Sequence, residues 1–311
     1  MAEQDGRVEQ TGSAEQAGRP LEGRTALITG GSRGLGAASA RRLAAMGARV
    51  VLTYRTREAE AAEVVAECEK DTPGARAEQL DLGDEQSVRA CMERVTDRDG
   101  TLDVVVASAA ATVFKPLLEV QPHHIDRTFA ISVRHFLLLA QLAYPLLEPR
   151  RGRIVAVSGA DTAGYIAGHG LLAAAKGAME GLVRYLACEL GPMGVTTVGL
   201  LPGYIDTESI RMMAGSFHPK LVAAEERTHP LRTAASPEDA SEAVALLCLP
   251  EARWLNGQIV RNDGAGLFAY TDRFAQAWAM VPDDAVMPDV SDAPMLGGEA
   301  RRRLPRDEQG G

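Results

Sequence analysis

The sequence predicts a doubly wound α/β fold, a mostly parallel seven-stranded sheet with helices on both faces. Three observations lead there. Short runs rich in β-branched residues alternate with longer segments of helical period. The short runs are apolar on both faces, as strands covered from both sides must be. The first run enters a glycine-rich turn and then an Ala-rich segment, so a strand meets a helix N-terminus at the start of the fold. In order, strands are expected at residues 25–29, 49–53, 76–80, 104–107, 153–157, 195–200 and 258–261. Helices are expected between them at 35–46, 58–70, 85–96, 125–147, 171–190 and 237–247.

Composition narrows the function classes. The 311 residues carry a formal net charge of -9, with no basic stripe, which argues against a nucleic-acid binder. The longest apolar run, 136–147, is interrupted by Gln141 and Pro145 and is shorter than the roughly 20 residues of a spanning helix, so a buried core helix is expected and no membrane partner. Residues 1–23 lack an apolar stretch, and the expected location is the cytoplasm. Cys68, Cys91, Cys188 and Cys248 form no CxxC pair and read as buried apolar side chains; no metal site is expected. Residues 1–22 have little to bury and read as a disordered tail, 23–267 as one domain, and 268–311 as a C-terminal extension. Within that extension, Phe274, Ala275, Trp278 and Ala279 fall at helical spacing.

The turn Thr29-Gly30-Gly31-Ser32-Arg33-Gly34-Leu35-Gly36 is a candidate dinucleotide site. Gly30 permits the tight turn, Gly34 lets the backbone approach a pyrophosphate, and Gly36 lets the helix pack closely on the sheet. Helix-terminal N–H groups then favour an anion. Gly30-x-Ser32-x-Gly34 also satisfies the nucleophile-elbow pattern, but an elbow follows several strands rather than the first. Beyond the second run stand Tyr54 and Arg55, with no Asp or Glu to hold a ribose 2′-hydroxyl. Arg33 and Arg55 suit a 2′-phosphate, so NADP(H) is the expected cofactor; the alternative is two solvated surface arginines.

With further motifs in order, residues 23–266 resemble the short-chain dehydrogenase/reductase family. Thr29-x-x-x-x-Gly34-x-Gly36 is similar to its cofactor turn, and Asp81-Leu82 to the pair that contacts adenine. Leu102-Asp103 leads the fourth strand as in the family, and Pro202-Gly203-Tyr204-Ile205-Asp206-Thr207 is similar to the loop at the nicotinamide carboxamide. Gly257-Gln258 and Asp263-Gly264 are similar to the closing strand. Ala109-Ala110-Ala111-Thr112-Val113-Phe114-Lys115-Pro116 and Arg184-Tyr185-Leu186-Ala187 resemble the enoyl-thioester reductase branch. The resemblance implies a Rossmann-type fold, a homodimer or homotetramer joined through helices 125–147 and 171–190, and cofactor contacts from Gly30, Ser32, Arg33, Gly34, Leu35, Gly36, Tyr54, Arg55, Asp81, Leu82, Ala109, Lys176, Pro202, Gly203, Ile205 and Thr207.

The family's chemistry uses an Asn, a Ser, a Tyr and a Lys, and of these only Lys176 is matched. Leu172 stands four residues before it, where the Tyr belongs, and His169 seven before, where one enoyl-reductase variant has its Tyr. Gly159 takes the place of the Ser, with Ser158 beside it, and Ser132 that of the Asn. A leucine has no proton to give to the oxyanion formed by hydride delivery. His169, Tyr165 and Ser158 are the candidate replacements. His123, His124, His218 and His229 read as surface residues, and Met212, Met213 and Phe217 as part of a substrate lid. The preferred reading is an NADP(H)-dependent oxidoreductase reducing an enone or carbonyl of a biosynthetic intermediate, free or carrier-bound. The alternatives are a cyclase, dehydratase or isomerase on the same scaffold, and a non-catalytic cofactor-binding protein.

Overall fold

The computed structural model of the chain describes residues 19–271. Seven strands pair in parallel: β1 (Thr25–Thr29), β2 (Arg49–Tyr54), β3 (Arg76–Gln79), β4 (Val104–Ala107), β5 (Arg153–Val157), β6 (Thr196–Pro202) and β7 (Ile259–Asn262). Their order across the sheet is β3-β2-β1-β4-β5-β6-β7, the doubly wound arrangement expected.

The period of two along each strand sorts the core into two layers. Ala26, Ile28, Val50, Leu52, Val104 and Val106 face one side, packed with α1 (Gly34–Ala45), α2 (Glu58–Asp71) and α9 (Pro237–Cys248). Leu27, Val51, Val105, Ile154 and Ala156 face the other, packed with α3 (Glu85–Asp99), α5 (His135–Leu147) and α6 (Gly170–Leu190). At the foot of the sheet the buried Asp103 accepts Arg24 Nη1 (2.7 Å), Arg150 Nε (3.0 Å) and the Thr25 N–H (2.9 Å), fixing the start of β4 against β1.

Several expectations need correction. The helix expected at 125–147 begins at α4 (Pro122–Phe129) and passes through a π-helical turn, Ala130–Arg134, before α5. The continuous stretch Pro122–Arg150 is long and apolar enough to cross a membrane by length and composition, which the interrupted apolar run concealed; 56% of its apolar window is buried inside the fold. Two helices were not foreseen between β6 and α9, namely α7 (Glu208–Ala214) and α8 (His218–Thr228). Each is short, so its apolar period is weak, but Thr207 caps α7 by accepting the Ile210 N–H and Pro219 sits in the first turn of α8. A further short helix, α10 (Gly266–Thr271), follows β7. Cys188 is exposed, while the other cysteines are buried as expected.

The tail reading is wrong for residues 19–22. Leu21 is 1% exposed, its N–H donates to Met46 O (2.9 Å), and Arg19 donates to Asp71 O (2.5 Å). One buried leucine anchors a segment that composition alone marks as polar. The rest of the tail and the 272–311 part of the extension lie outside the described residues. Leu21→Ala is expected to destabilise the fold by about 2–5 kcal/mol, the usual loss for a buried leucine. Chemical denaturation checks this, and an unchanged midpoint would return residues 19–22 to the tail.

Candidate active site

Parallel strands bring their carboxyl ends to one edge, and a cleft of about 460 Å³ opens there between β1 and β4. It is lined by Gly30, Ser32, Arg33, Gly34, Leu35 and Gly36 after β1, by Tyr54 and Arg55 at the end of β2, and by Asp81 and Leu82 after β3. Ala109 lines it after β4, and Pro202, Gly203, Ile205 and Thr207 complete it at the end of β6. Every cofactor contact expected from the sequence, apart from Lys176, thus meets in one cavity. The turn is tight enough that a Cβ on Gly36 would lie 2.2 Å from Gly30 O, and Gly34 takes φ +54°, where side-chain-bearing residues are strained. Arg33 precedes α1 without capping it, so the first N–H groups of this 12-residue helix have no side-chain cap. These features fit a pyrophosphate.

The basic end of the cleft holds a residue the sequence reading passed over. Arg57, two positions past Arg55, donates to Glu208 of α7 through Nη2 (2.8 Å) and Nη1 (3.1 Å). Arg33 Nη1 is buried, makes no hydrogen bond, and lies 3.6 Å from the same carboxylate. The Arg57 guanidinium holds the Glu208 carboxyl below its ordinary value. Two guanidinium groups converging on one anion form a site that a 2′-phosphate would fit, with the lid carboxylate now in that role.

Behind the cleft wall lies a buried charged group. Lys176 Nζ donates to the carbonyl of cleft-lining Val157 (2.5 Å), and burial lowers its pKa to about 8, against the pull of Asp161 and Glu180. Ser158 donates to Glu180 Oε1 (2.6 Å), as does Thr162 (2.7 Å), so the serine hydroxyl is committed to a structural bond. His169, just before α6, has a side chain 12% exposed and stacks on Phe114 with ring centroids 4.5 Å apart. Its Nδ1 is 3.5 Å from Asp161 Oδ2. Tyr165 is 94% exposed. Ser132 is buried in the π-helical turn with its hydroxyl unpartnered. The structure brings Lys176, His169 and Ser158 into one neighbourhood with two carboxylates the sequence reading missed, Asp161 in the turn after β5 and Glu180 on α6, because a single acid in either place carries no signal of its own.

Of the histidines read as surface residues, His123 is exposed, whereas His218 and His229 are held by hydrogen bonds. His218 Nε2 binds Asp206 Oδ1 (2.7 Å) and His229 Nε2 donates to Asp263 O (2.8 Å), pinning the lid to the strand ends. His135 Nδ1 donates to Leu82 O (2.6 Å), holding the loop after β3 at the cleft. Met212 and Phe217 are exposed on the lid at 59% and 54%.

A family profile described as enoyl-(acyl carrier protein) reductase matches residues 30–266. The chain is 32% identical to a hydroxynaphthalene reductase of Aspergillus fumigatus over 248 residues, covering 77% of this chain and 90% of that one. It is 33% identical to a 1-cyclohexenylcarbonyl-CoA reductase of Streptomyces collinus, covering 81% and 89%. Among solved structures, a short-chain dehydrogenase of Burkholderia cenocepacia in complex with NADP superposes with a TM-score of 0.72 at 35% identity, covering 80% and 100%. An angucycline C-6 ketoreductase with bound NADP gives 0.72 at 29% identity, covering 80% and 98%.

Two outcomes are expected. Glu208→Gln removes the carboxylate that occupies the arginine pair, so NADPH should bind about 2- to 5-fold tighter, the scale of a half-exposed ion pair. Fluorescence titration reads this, and weaker binding would show that Glu208 helps to hold the cofactor. For Lys176, the folded pKa of about 8 lies below the ordinary 10.5, so between those values the unfolded chain binds more protons. Stability conferred at this site therefore rises with pH across that window. Urea midpoints of Lys176→Met should lack this rise, and parallel pH profiles for the two proteins would contradict it.

Proposed function

Because the chain belongs to the short-chain dehydrogenase/reductase family, we propose that its non-standard site reduces an enone or carbonyl of a cyclic biosynthetic intermediate with NADPH, using His169 as the proton donor. The observation that carries this reading is the pairing of a glycine-turn cleft at the N-terminus of α1 with His169, which sits just before α6 and three residues ahead of Leu172, the residue in the phenol's place. When bound, NADPH supplies the hydride. Gly34, the α1 N-terminus, Arg33 and Arg55 would hold its phosphates and Lys176 its nicotinamide ribose, while the 202–207 loop would orient the ring. The imidazolium of His169 then gives its Nε2 proton to the oxyanion, a step for which a positioned acid contributes about 10² to 10⁴ in rate. Tyr165, turned to solvent, is the weaker donor, and Ser158 is held by Glu180.

An apolar substrate is supported by the large side chains left exposed in the segments that follow the cleft-lining ones: Phe114, Leu117 and Leu118 after residues 109–111, and Met212, Met213 and Phe217 after Ile210. Named relatives act on a hydroxynaphthalene and on a cyclic enoyl thioester, which supports a ring-bearing carbonyl compound, free or carrier-bound. A homo-oligomer is supported by Ile125 and Tyr185, 43% and 73% exposed, on the two helices expected to join subunits.

The purified protein should oxidise NADPH, and NADH far more slowly, when mixed with a panel of cyclic enones and aromatic ketones. Arg33→Ala should weaken NADPH binding about tenfold and leave NADH binding unchanged, as expected when one charge-assisted phosphate contact is lost. NADPH binding with no oxidation by any substrate of the panel would overturn the reductase reading in favour of a binding protein or a non-redox enzyme.

A further inference from the structure

The missing serine and the new histidine are connected through a third residue. Gly159 has extended backbone, φ -161°, which any residue adopts, so glycine is not required there for conformation. What it provides is space: a Cβ at 159 would lie 2.6 Å from Asp161 Oδ1. Asp161 fills the volume that a side chain at 159 would need. It is buried, and neither of its carboxylate oxygens accepts a hydrogen bond. Desolvating a carboxylate without donors is costly, so such a group calls for a partner. Two cationic candidates are near: Lys176, whose charge it favours, and His169 Nδ1, at 3.5 Å from Oδ2.

We propose that Asp161 is the positioning residue for proton delivery, taking the Nδ1–H of His169 so that Nε2 faces the substrate; this rests on the reading of His169 as the acid. The separation lies just outside a hydrogen bond, and catalytic hydrogen bonds are commonly long before substrate binds. The ring of Phe114 limits the tilt of the imidazole on its other side. Which nitrogen of a histidine reacts is set by the bond the other one makes. In the step itself the Nε2–H bond of the imidazolium breaks, its electron pair stays on nitrogen, and the proton forms an O–H bond with the substrate oxyanion. The neutral imidazole that remains carries its hydrogen on Nδ1, toward Asp161, and takes a new Nε2 proton from solvent. The charged groups around the pair are Lys176 and Glu180 on α6.

The test reads the tautomer directly. In cofactor-free protein, ¹⁵N NMR of His169 in its neutral form is expected to show hydrogen on Nδ1, shifting toward Nε2 in Asp161→Asn. Turnover in Asp161→Asn should fall about 10²-fold in kcat with KM and NADPH affinity unchanged, and Asp161→Glu should recover part of it. Gly159→Ala is a second variant that keeps the carboxylate but displaces it, and the same loss of kcat is expected. Identical His169 nitrogen shifts in wild type and Asp161→Asn would overturn the proposal. So would an undiminished kcat in both Asp161→Asn and Gly159→Ala. Failure of the acid reading is seen separately, as full turnover in His169→Ala.

Discussion

Parallel pairing of all seven strands is the constraint on which the site depends. It collects every strand's carboxyl end along one edge, and the change of winding direction between β1 and β4 leaves that edge open at one place. Hydrogen bonds there fix the shape of the opening. Thr29 Oγ1 accepts the N–H groups of Ser108 and Ala109 (3.1 and 3.2 Å), tying the ends of the two diverging strands together. Thr53 Oγ1 accepts the Gly30 N–H (3.3 Å), which holds the glycine turn against β2. Both hydroxyls set where the N–H groups of the glycine turn stand.

The second constraint is electrostatic. Lys176, Asp161 and Glu180 are removed from water together, a lysine with two carboxylates within its electrostatic reach. Buried charges of this kind persist when each finds compensation. Glu180 finds it in two hydroxyls and in Arg184 Nη2, 3.6 Å away, and Lys176 in the Val157 carbonyl, which leaves Asp161 as the member without a donor. The unsatisfied group is thus on the side of the cluster that meets His169.

The strands were legible because burial on both faces leaves an unbroken apolar signature, and β1, β4 and β5 carry the expected bounds. The cleft was legible because glycines and arginines at fixed spacing have few other uses, and its lining matches the expected contacts save for Lys176, set one residue behind the wall. Other features were hidden for physical reasons. Leu21 is a single apolar residue in a polar segment, and α7 and α8 are too short for periodicity to speak. Arg57 acquires meaning only when α7 swings Glu208 against it. Asp161 and Gly159 are uninformative singly, since their relation is a contact between two loop positions that only three dimensions disclose.

That contact bears on how such a site can change over generations. A serine restored at 159 alone would drive its Cβ into a buried carboxylate, and an Asp161 replaced alone would leave Lys176 with one fewer counter-charge. Either single step is harmful although the pair of changes is compatible, the non-additivity expected of residues in contact. A chain with this arrangement therefore faces a valley on the way to a serine at 159, and selection against each single step holds it on its own side.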